Sequence, residues 1–171
     1  MRKFLLPFLL MLFFILESIF VELVPPKVFG DNYILVPHFL IAVIILLAIY
    51  GPKNYGIFYG LLFGLLFDIV YTEIIGIYLF LFPLVTYICY KLMKIVQTNI
   101  VMVSFITIIG VMLLELGSYE MNFLINRTNM DLSTFGSDRL LPTSIMNFIF
   151  IIIAVYPLKR HYEKLMNSLD V

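Results

Sequence analysis

The chain has 171 residues, of which 63% are hydrophobic and only 13% charged, with 11 cations balanced by 11 acids at zero formal net charge. That charged share is about half that of a soluble domain, and a soluble protein of this size has too much surface for its volume to hide so much Leu, Ile and Phe. A disordered chain, an ordinary water-soluble enzyme and a phosphate-neutralising nucleic-acid binder are excluded, which leaves a polytopic membrane protein.

A helix needs about 20 apolar residues to cross a bilayer core, and six runs approach that length. The first is 4–24, behind a basic Arg2-Lys3 start. No small-x-small cleavage site follows it, since the chain reads Leu16-Glu17-Ser18-Ile19-Phe20, so an uncleaved span is expected. Pro25-Pro26 and Gly30-Asp31-Asn32 carry turn chemistry. The second run, 33–50, holds His38 about one turn inside its start. Gly51-Pro52-Lys53-Asn54 breaks it, and the third span, 52–71, has Pro52 at its first turn, where a missing N–H costs nothing.

Within that third span Gly56, Gly60, Gly64 and Asp68 recur every four residues. Four steps of about 100° drift only about 40° around a helix, so they form one stripe ending in a carboxylate. In lipid there is little hydrophobic drive between helices, and small residues that admit a neighbouring backbone are the main packing device. Phe58, Leu61, Leu62, Leu65 and Ile69 occupy the other faces. A tight break at Tyr71-Thr72-Glu73 makes spans three and four, 52–71 and 74–90, an antiparallel hairpin, and Gly76 near its turn is counted with Gly56, Gly60 and Gly64 as a helix-packing glycine.

Pro83 in the fourth run and Pro142 in the sixth each kink a helix or mark its first turn. The single cysteine, Cys89, excludes an internal disulfide and a multi-Cys metal site, and reads as a small apolar packing residue. The fifth run is 100–119 and the sixth 140–158, with 120–139 the longest stretch outside a span. Leu158, Tyr162, Leu165, Met166 and Leu169 then recur at helical spacing among Lys159, Arg160, Glu163 and Lys164, so 159–171 reads as an amphipathic tail that continues the sixth span. Its simplest role is to lie on anionic lipid, and a docking face for a cytoplasmic filament protein is the alternative.

Loop cations set orientation. Arg2, Lys3, Lys53, Lys91, Lys94, Lys159, Arg160 and Lys164 fall on the side of the N-terminus, and only Lys27, Arg127 and Arg139 on the other. Both termini are therefore expected in the cytoplasm. Nine of the acids fall on the opposite side from the termini, so the zero sum divides into about −6 outside and +6 inside. Glu17, Asp68 and Glu115 stand apart because each lies within an apolar run. A carboxyl there usually faces the bundle interior and has a partner. His38, Arg127, Arg139, tyrosines, Ser118 and Asn122 are the candidates, unless the acids snorkel to the interface.

The run Gly60-Leu61-Leu62-Phe63-Gly64-Leu65-Leu66-Phe67-Asp68-Ile69, followed by Gly76, resembles the G-x3-G-L-x2-D signature of the rod shape-determining protein MreD family. The resemblance extends over the chain: its length, six spans, a basic start and a short basic tail. It implies a multi-pass protein of the bacterial cytoplasmic membrane. It implies partnership with the single-span protein MreC, and through it a link between cytoplasmic MreB filaments and the RodA and class B penicillin-binding proteins that build sidewall peptidoglycan. It also implies an all-α fold similar to the six-helix substrate-binding subunits of energy-coupling-factor transporters. The family's Gly and Asp positions map onto Gly60, Gly64, Asp68 and Gly76. No catalytic residue carries over.

The residues themselves show little chemistry. There is no HExxH, no phosphate loop and no G-x-S-x-G elbow. His38 and His161 fall on opposite membrane sides and cannot share a metal, so neither metal nor cofactor is expected. A non-catalytic scaffold is the leading reading. A small-molecule-binding subunit of a vitamin-type transporter is the alternative, and fold likeness alone does not decide between them.

Overall fold

A computed structural model describes residues 5–24, 33–72, 74–96 and 98–167. Arg2, Lys3, Lys27, Asp31, Glu73, Leu169 and Asp170 lie outside the described residues, as does the side chain of Met166. The described chain is helical throughout: α1 (Leu5–Leu23), α2 (Phe39–Tyr50), α3 (Lys53–Tyr71), α4 (Ile77–Ile95), α5 (Ile100–Leu124), the single turn α6 (Leu132–Thr134) and α7 (Leu141–Asn167), with a π-helical stretch, Phe135–Leu140, between the last two. Among the described residues five helical stretches are long and apolar enough to cross a membrane: α1, α3, α4, α5 and the continuous stretch ending in α7.

The second expected span, 33–50, departs from a simple helix. Residues 33–38 are not helical; alternate positions Ile34, Val36 and His38 all bond toward residues 138–147, the pattern of an extended segment, and only Phe39–Tyr50 is helical. Pro37 supplies the reason, because a proline disfavours helical backbone at the residue before it and has no N–H of its own. Twelve helical residues cover about 18 Å, and six extended ones add about 20 Å. Together they still bridge a core of about 30 Å.

Helix α2 forms the centre of the bundle. Its sequence is apolar on every face, the signature of a helix surrounded by protein or lipid on all sides. Every residue from Leu40 to Ala48 is buried, and α1, α3, α4, α5 and α7 all pack around it. The outer helices instead bury one stripe each. In α1 that stripe is Leu6, Leu10, Phe14 and Glu17, while Phe8, Ile15 and Leu23 face outward.

The glycines of α3 meet two neighbours. A Cβ at Gly56 would collide with Ala48 of α2, and one at Gly64 would overlap the carbonyl oxygen of Tyr78 in α4. At Gly60 the clearance is larger, 3.3 Å to the Pro83 Cα, so the internal proline of α4 lies against this glycine. Gly76 differs from these three and is no packing glycine. No atom lies within 4 Å of where its Cβ would be, and its φ of +133° is a backbone state that L side chains rarely adopt. Its glycine is required by the turn into α4.

Several boundaries differ from the expected ones. α4 starts at Ile77, because 74–76 form that turn, and continues to Ile95 past Lys91 and Lys94. α5 continues to Leu124. The stretch 120–139 is only partly a loop, since helix resumes at Leu132 and runs into α7. Pro142 falls in the first turn of α7. The described part of the tail prolongs the last span, as its spacing predicts, but it does not lie on the lipid surface. It continues α7 to Asn167, and its apolar side (Leu158, Tyr162, Leu165) is buried in the bundle, with the Tyr162 hydroxyl donating to the Val43 carbonyl at 3.2 Å.

Alanine at Gly64 should destabilise the protein by about 2 kcal/mol despite alanine's better helix propensity, because the obstacle is a backbone carbonyl that cannot rotate away. Gly60→Ala should cost less, and Gly136→Ala, which meets open space, should be neutral within about 0.5 kcal/mol. Thermal unfolding of the purified variants in detergent checks this order, and an equal loss at all three positions would contradict it.

Candidate functional site

All three intramembrane acids are buried: Glu17 is 4% exposed, and Asp68 and Glu115 are fully covered. None snorkels to an interface. All three lie toward the same end of the bundle, where α1 and α3 finish and α2 and α4 begin.

Asp68 is in the last turn of α3 and reaches the start of α4. Its Oδ2 accepts from the Gly76 N–H at 2.8 Å and the Leu79 N–H at 2.9 Å, and its Oδ1 from the Tyr78 N–H at 3.0 Å. The Thr72 hydroxyl lies 3.2 Å from Oδ1 and 2.9 Å from the Ile74 carbonyl. The first N–H groups of a helix have no partner within it, and its N-terminus carries partial positive charge. A carboxylate from the preceding helix answers both needs at once. Gly64, one turn earlier, lets α3 come close enough for Asp68 to reach.

Glu17 does the same for the central helix. Its Oε2 accepts from the Leu40 N–H at 3.1 Å, in the first turn of α2. His38, just before that turn, ties the helix start to α5. Its Nε2 lies 2.6 Å from Glu115 Oε1, and Arg139 donates to the same carboxylate through Nε at 3.0 Å to Oε2 and Nη2 at 3.4 Å to Oε1. The Nδ1 of His38 is buried and has no hydrogen-bond partner among the described residues. Arg139 sits in the π-helical stretch, which is held from α5 by Tyr119, whose ring stacks on Phe135 at 4.1 Å and whose hydroxyl donates to the Met130 carbonyl at 2.8 Å. Next to Glu115 on α5, Ser118 Oγ lies 3.0 Å from the Tyr78 hydroxyl, which links α5 back to α4.

The extended segment 33–38 needs partners for backbone groups that a helix would pair internally. Helix α7 supplies them from two side chains. The Thr143 hydroxyl accepts from the Val36 N–H at 3.2 Å and lies 3.3 Å from the Ile34 carbonyl. The Asn147 side-chain oxygen accepts from the His38 N–H at 2.8 Å, and its amide donates to the Val36 carbonyl at 2.9 Å. Ile34 N–H donates to the Asp138 carbonyl at 2.8 Å. The spacing explains the fit. Residues four apart on a helix rise about 6 Å, close to the rise of about 6.6 Å over two extended residues. Thr143 and Asn147 therefore act as two rungs of a strand ladder presented by a helix.

The sequence singled out Glu17, Asp68, Glu115 and His38, and the structure brings Glu115, His38 and Arg139 together and places Glu17 on the Leu40 N–H, two residues along from His38. Thr143 and Asn147 were not singled out. Their signal was present as two amide or hydroxyl residues at i, i+4 within an apolar run. The basic residues gather at the other end, on aromatic rings: Lys91 over Tyr87 at 5.5 Å, Lys94 over Tyr90 at 5.2 Å, Lys53 over Tyr90 at 5.9 Å and Lys159 over Tyr50 at 5.5 Å. Arg160 and Lys164 are exposed there. Cys89 is buried against the Ile106 carbonyl. Among the described residues no group of three or more His, Cys, Asp or Glu is arranged to hold a metal ion.

The family described as rod shape-determining protein MreD matches residues 2–165. The chain is also 35% identical over 169 residues to the rod shape-determining protein MreD of Bacillus subtilis (strain 168), covering 99% of this chain and 98% of that protein. No solved structure matches it.

Asp68→Ala leaves three backbone N–H groups of α4 without their acceptor and should cost about 3 kcal/mol, within the range for buried unsatisfied donors. Asp68→Asn, which keeps one acceptor oxygen, should cost about half as much. Asn147→Leu should also destabilise, by about 2 kcal/mol, because it strips two groups of the extended segment. Unfolding midpoints in a fixed detergent measure all three, and an Asp68→Ala protein as stable as the parent would remove the capping role.

Proposed function

The chain belongs to the rod shape-determining protein MreD family, and from that premise we propose that it is a non-catalytic membrane scaffold of the machinery that sets rod shape. Membership supports a shape-determining role and a multi-pass membrane protein. The observation that carries the scaffold reading is the use of the buried charges. Asp68 and Glu115, which would be first candidates for chemistry inside a membrane, accept every hydrogen bond described above from this chain's own backbone, histidine and arginine. They fix helix starts and hold α5 to the segment 135–140. The comparisons give the vitamin-type transporter subunit no support.

In this reading the end with the aromatic-bound lysines is cytoplasmic, as loop cations favour, and both termini lie there. That end contacts anionic lipids. The acidic end faces outward and engages an MreC-like single-span protein, and through the complex the chain connects RodA and a class B penicillin-binding protein to MreB filaments. The proposed likeness to the substrate-binding subunits of energy-coupling-factor transporters rests on the family resemblance and the helical bundle.

Gentle solubilisation and purification should bring down a single-span protein with a large outer domain. Recovery of an ATPase pair with a coupling subunit would contradict the scaffold. A cysteine at Asn129, in a chain whose native Cys89 is buried, should react with an impermeant thiol reagent added from outside. Labelling only from the cytoplasmic side would invert the topology.

A further inference from the structure

Between α1, α3 and the extended segment there is a cleft of about 290 Å³ bordered by Glu17, Ser18, Glu22, Pro37, Phe67 and Tyr71. Its buried wall is Glu17. One oxygen of that carboxylate holds the Leu40 N–H, and the other accepts no hydrogen bond from any described residue. The aromatic wall is Phe67 and Tyr71, whose rings lie 4.6 Å apart. Among the described residues no Lys, Arg or His lines the cleft.

Each of these features selects for the same occupant. A carboxylate oxygen that faces a cleft at this depth in the bundle, without a donor, is costly unless a cation or a strong donor meets it. Aromatic faces attract a desolvated ammonium or guanidinium. With Glu22 beside Glu17 and no basic side chain among the described residues of the lining, an anion is repelled. That counts against an amine-headed phospholipid, which carries its phosphate only a few bonds from the amine. The volume is at the low end for a small-molecule pocket and suits a single side chain. Glu17 lies six residues before the end of α1, about 9 Å inside it. A long basic side chain from a neighbouring helix reaches that depth from the interface.

We propose that this cleft receives one Lys or Arg side chain from a partner's transmembrane helix docked along α1. A basic residue within a span is itself expensive in lipid, so the pairing makes docking selective for a helix that carries one at this depth. The source of the cation rests on the scaffold reading above, while the chemistry of the cleft does not.

The full chain in nanodiscs of phosphatidylcholine and phosphatidylglycerol is titrated with a labelled Leu-Ala transmembrane peptide bearing one Lys two turns inside its outer end, and association is read by energy transfer. The Lys peptide should bind about tenfold more tightly than the same peptide with Leu at that position, near the low end for close charge pairs across an interface. Glu17→Gln, whose amide oxygen still accepts from Leu40, should abolish the preference without lowering the unfolding midpoint. Ser18→Phe, which fills the cleft and leaves the Glu17 bond intact, should do the same, and Glu120→Gln should leave the preference unchanged. Equal binding of both peptides, or a preference that survives both cleft variants, overturns the proposal. So does loss of the preference on adding phosphatidylethanolamine, which would assign the cleft to a lipid amine. Co-purification reads the scaffold role separately, so failure of one experiment leaves the other standing.

Discussion

At bilayer depth, backbone N–H and C=O groups must find partners inside the protein, because lipid offers none. The fold is organised by the one place where this requirement is hardest to meet. Pro37 prevents residues 33–38 from continuing α2 toward the acidic end, which leaves an extended segment and an uncovered helix start in the middle of the bundle. Everything placed around that point supplies a partner: Thr143 and Asn147 along the extended segment, Glu17 on the first turn of α2, and Glu115 with Arg139 on His38. Helices α1, α2, α5 and α7 and the π-helical stretch meet there, and each supplies or receives part of the pairing.

The same solution recurs at α4. Its start is covered by Asp68, as the start of α2 is covered by Glu17, and in each case the carboxylate comes from a different helix than the one it caps. An ordinary N-cap stabilises one helix. A cap supplied from outside also fixes the distance and rotation between two helices, because the carboxylate reaches only if the two axes are correctly placed. In water such links compete with solvent and are worth little. In lipid the competing partner is absent, so a few carboxylates set the architecture of one end of the bundle while close packing through Gly56, Gly60 and Gly64 sets the adjoining faces.

Features carried by local spacing were legible in the sequence. The glycine stripe and the out-of-place acids are visible because their periodicity, or their violation of an apolar run, is contained within one helix. The break in the second span was harder to read. A continuously apolar run conceals whether the backbone is helical or extended, and Pro37 was the only local sign. The partners were hidden for a different reason. His38 and Glu115 are 77 positions apart, and His38 and Asn147 are 109 apart, so their pairing depends on how helices are arranged and on nothing within either segment. The tail shows the opposite error. Its amphipathic spacing is real, but spacing does not say whether the apolar side meets lipid or protein, and Tyr162 buries it in the bundle. Gly76 belongs with these cases: its place in the motif suggested packing, whereas a left-handed backbone turn is what requires it.

The distribution of these links also separates a rigid part of the molecule from a replaceable surface. α2, α3, α4, α5 and α7 are joined by buried hydrogen bonds and by glycine contacts that leave no slack. α1 is joined by Glu17 and by aromatic contacts, Phe14 with Phe63, Phe67 and Tyr71 and Phe13 with Phe150, and most of its side chains face outward. Large aromatic contacts are non-directional and tolerate sliding in a way that a capped helix start does not. A helix held in this manner can adjust to a neighbour without disturbing the core, provided the one directional contact at Glu17 is kept. That contact is also where a charged partner would register its arrival. A scaffold has to keep its shape while accepting other chains, and here the two demands fall on different helices.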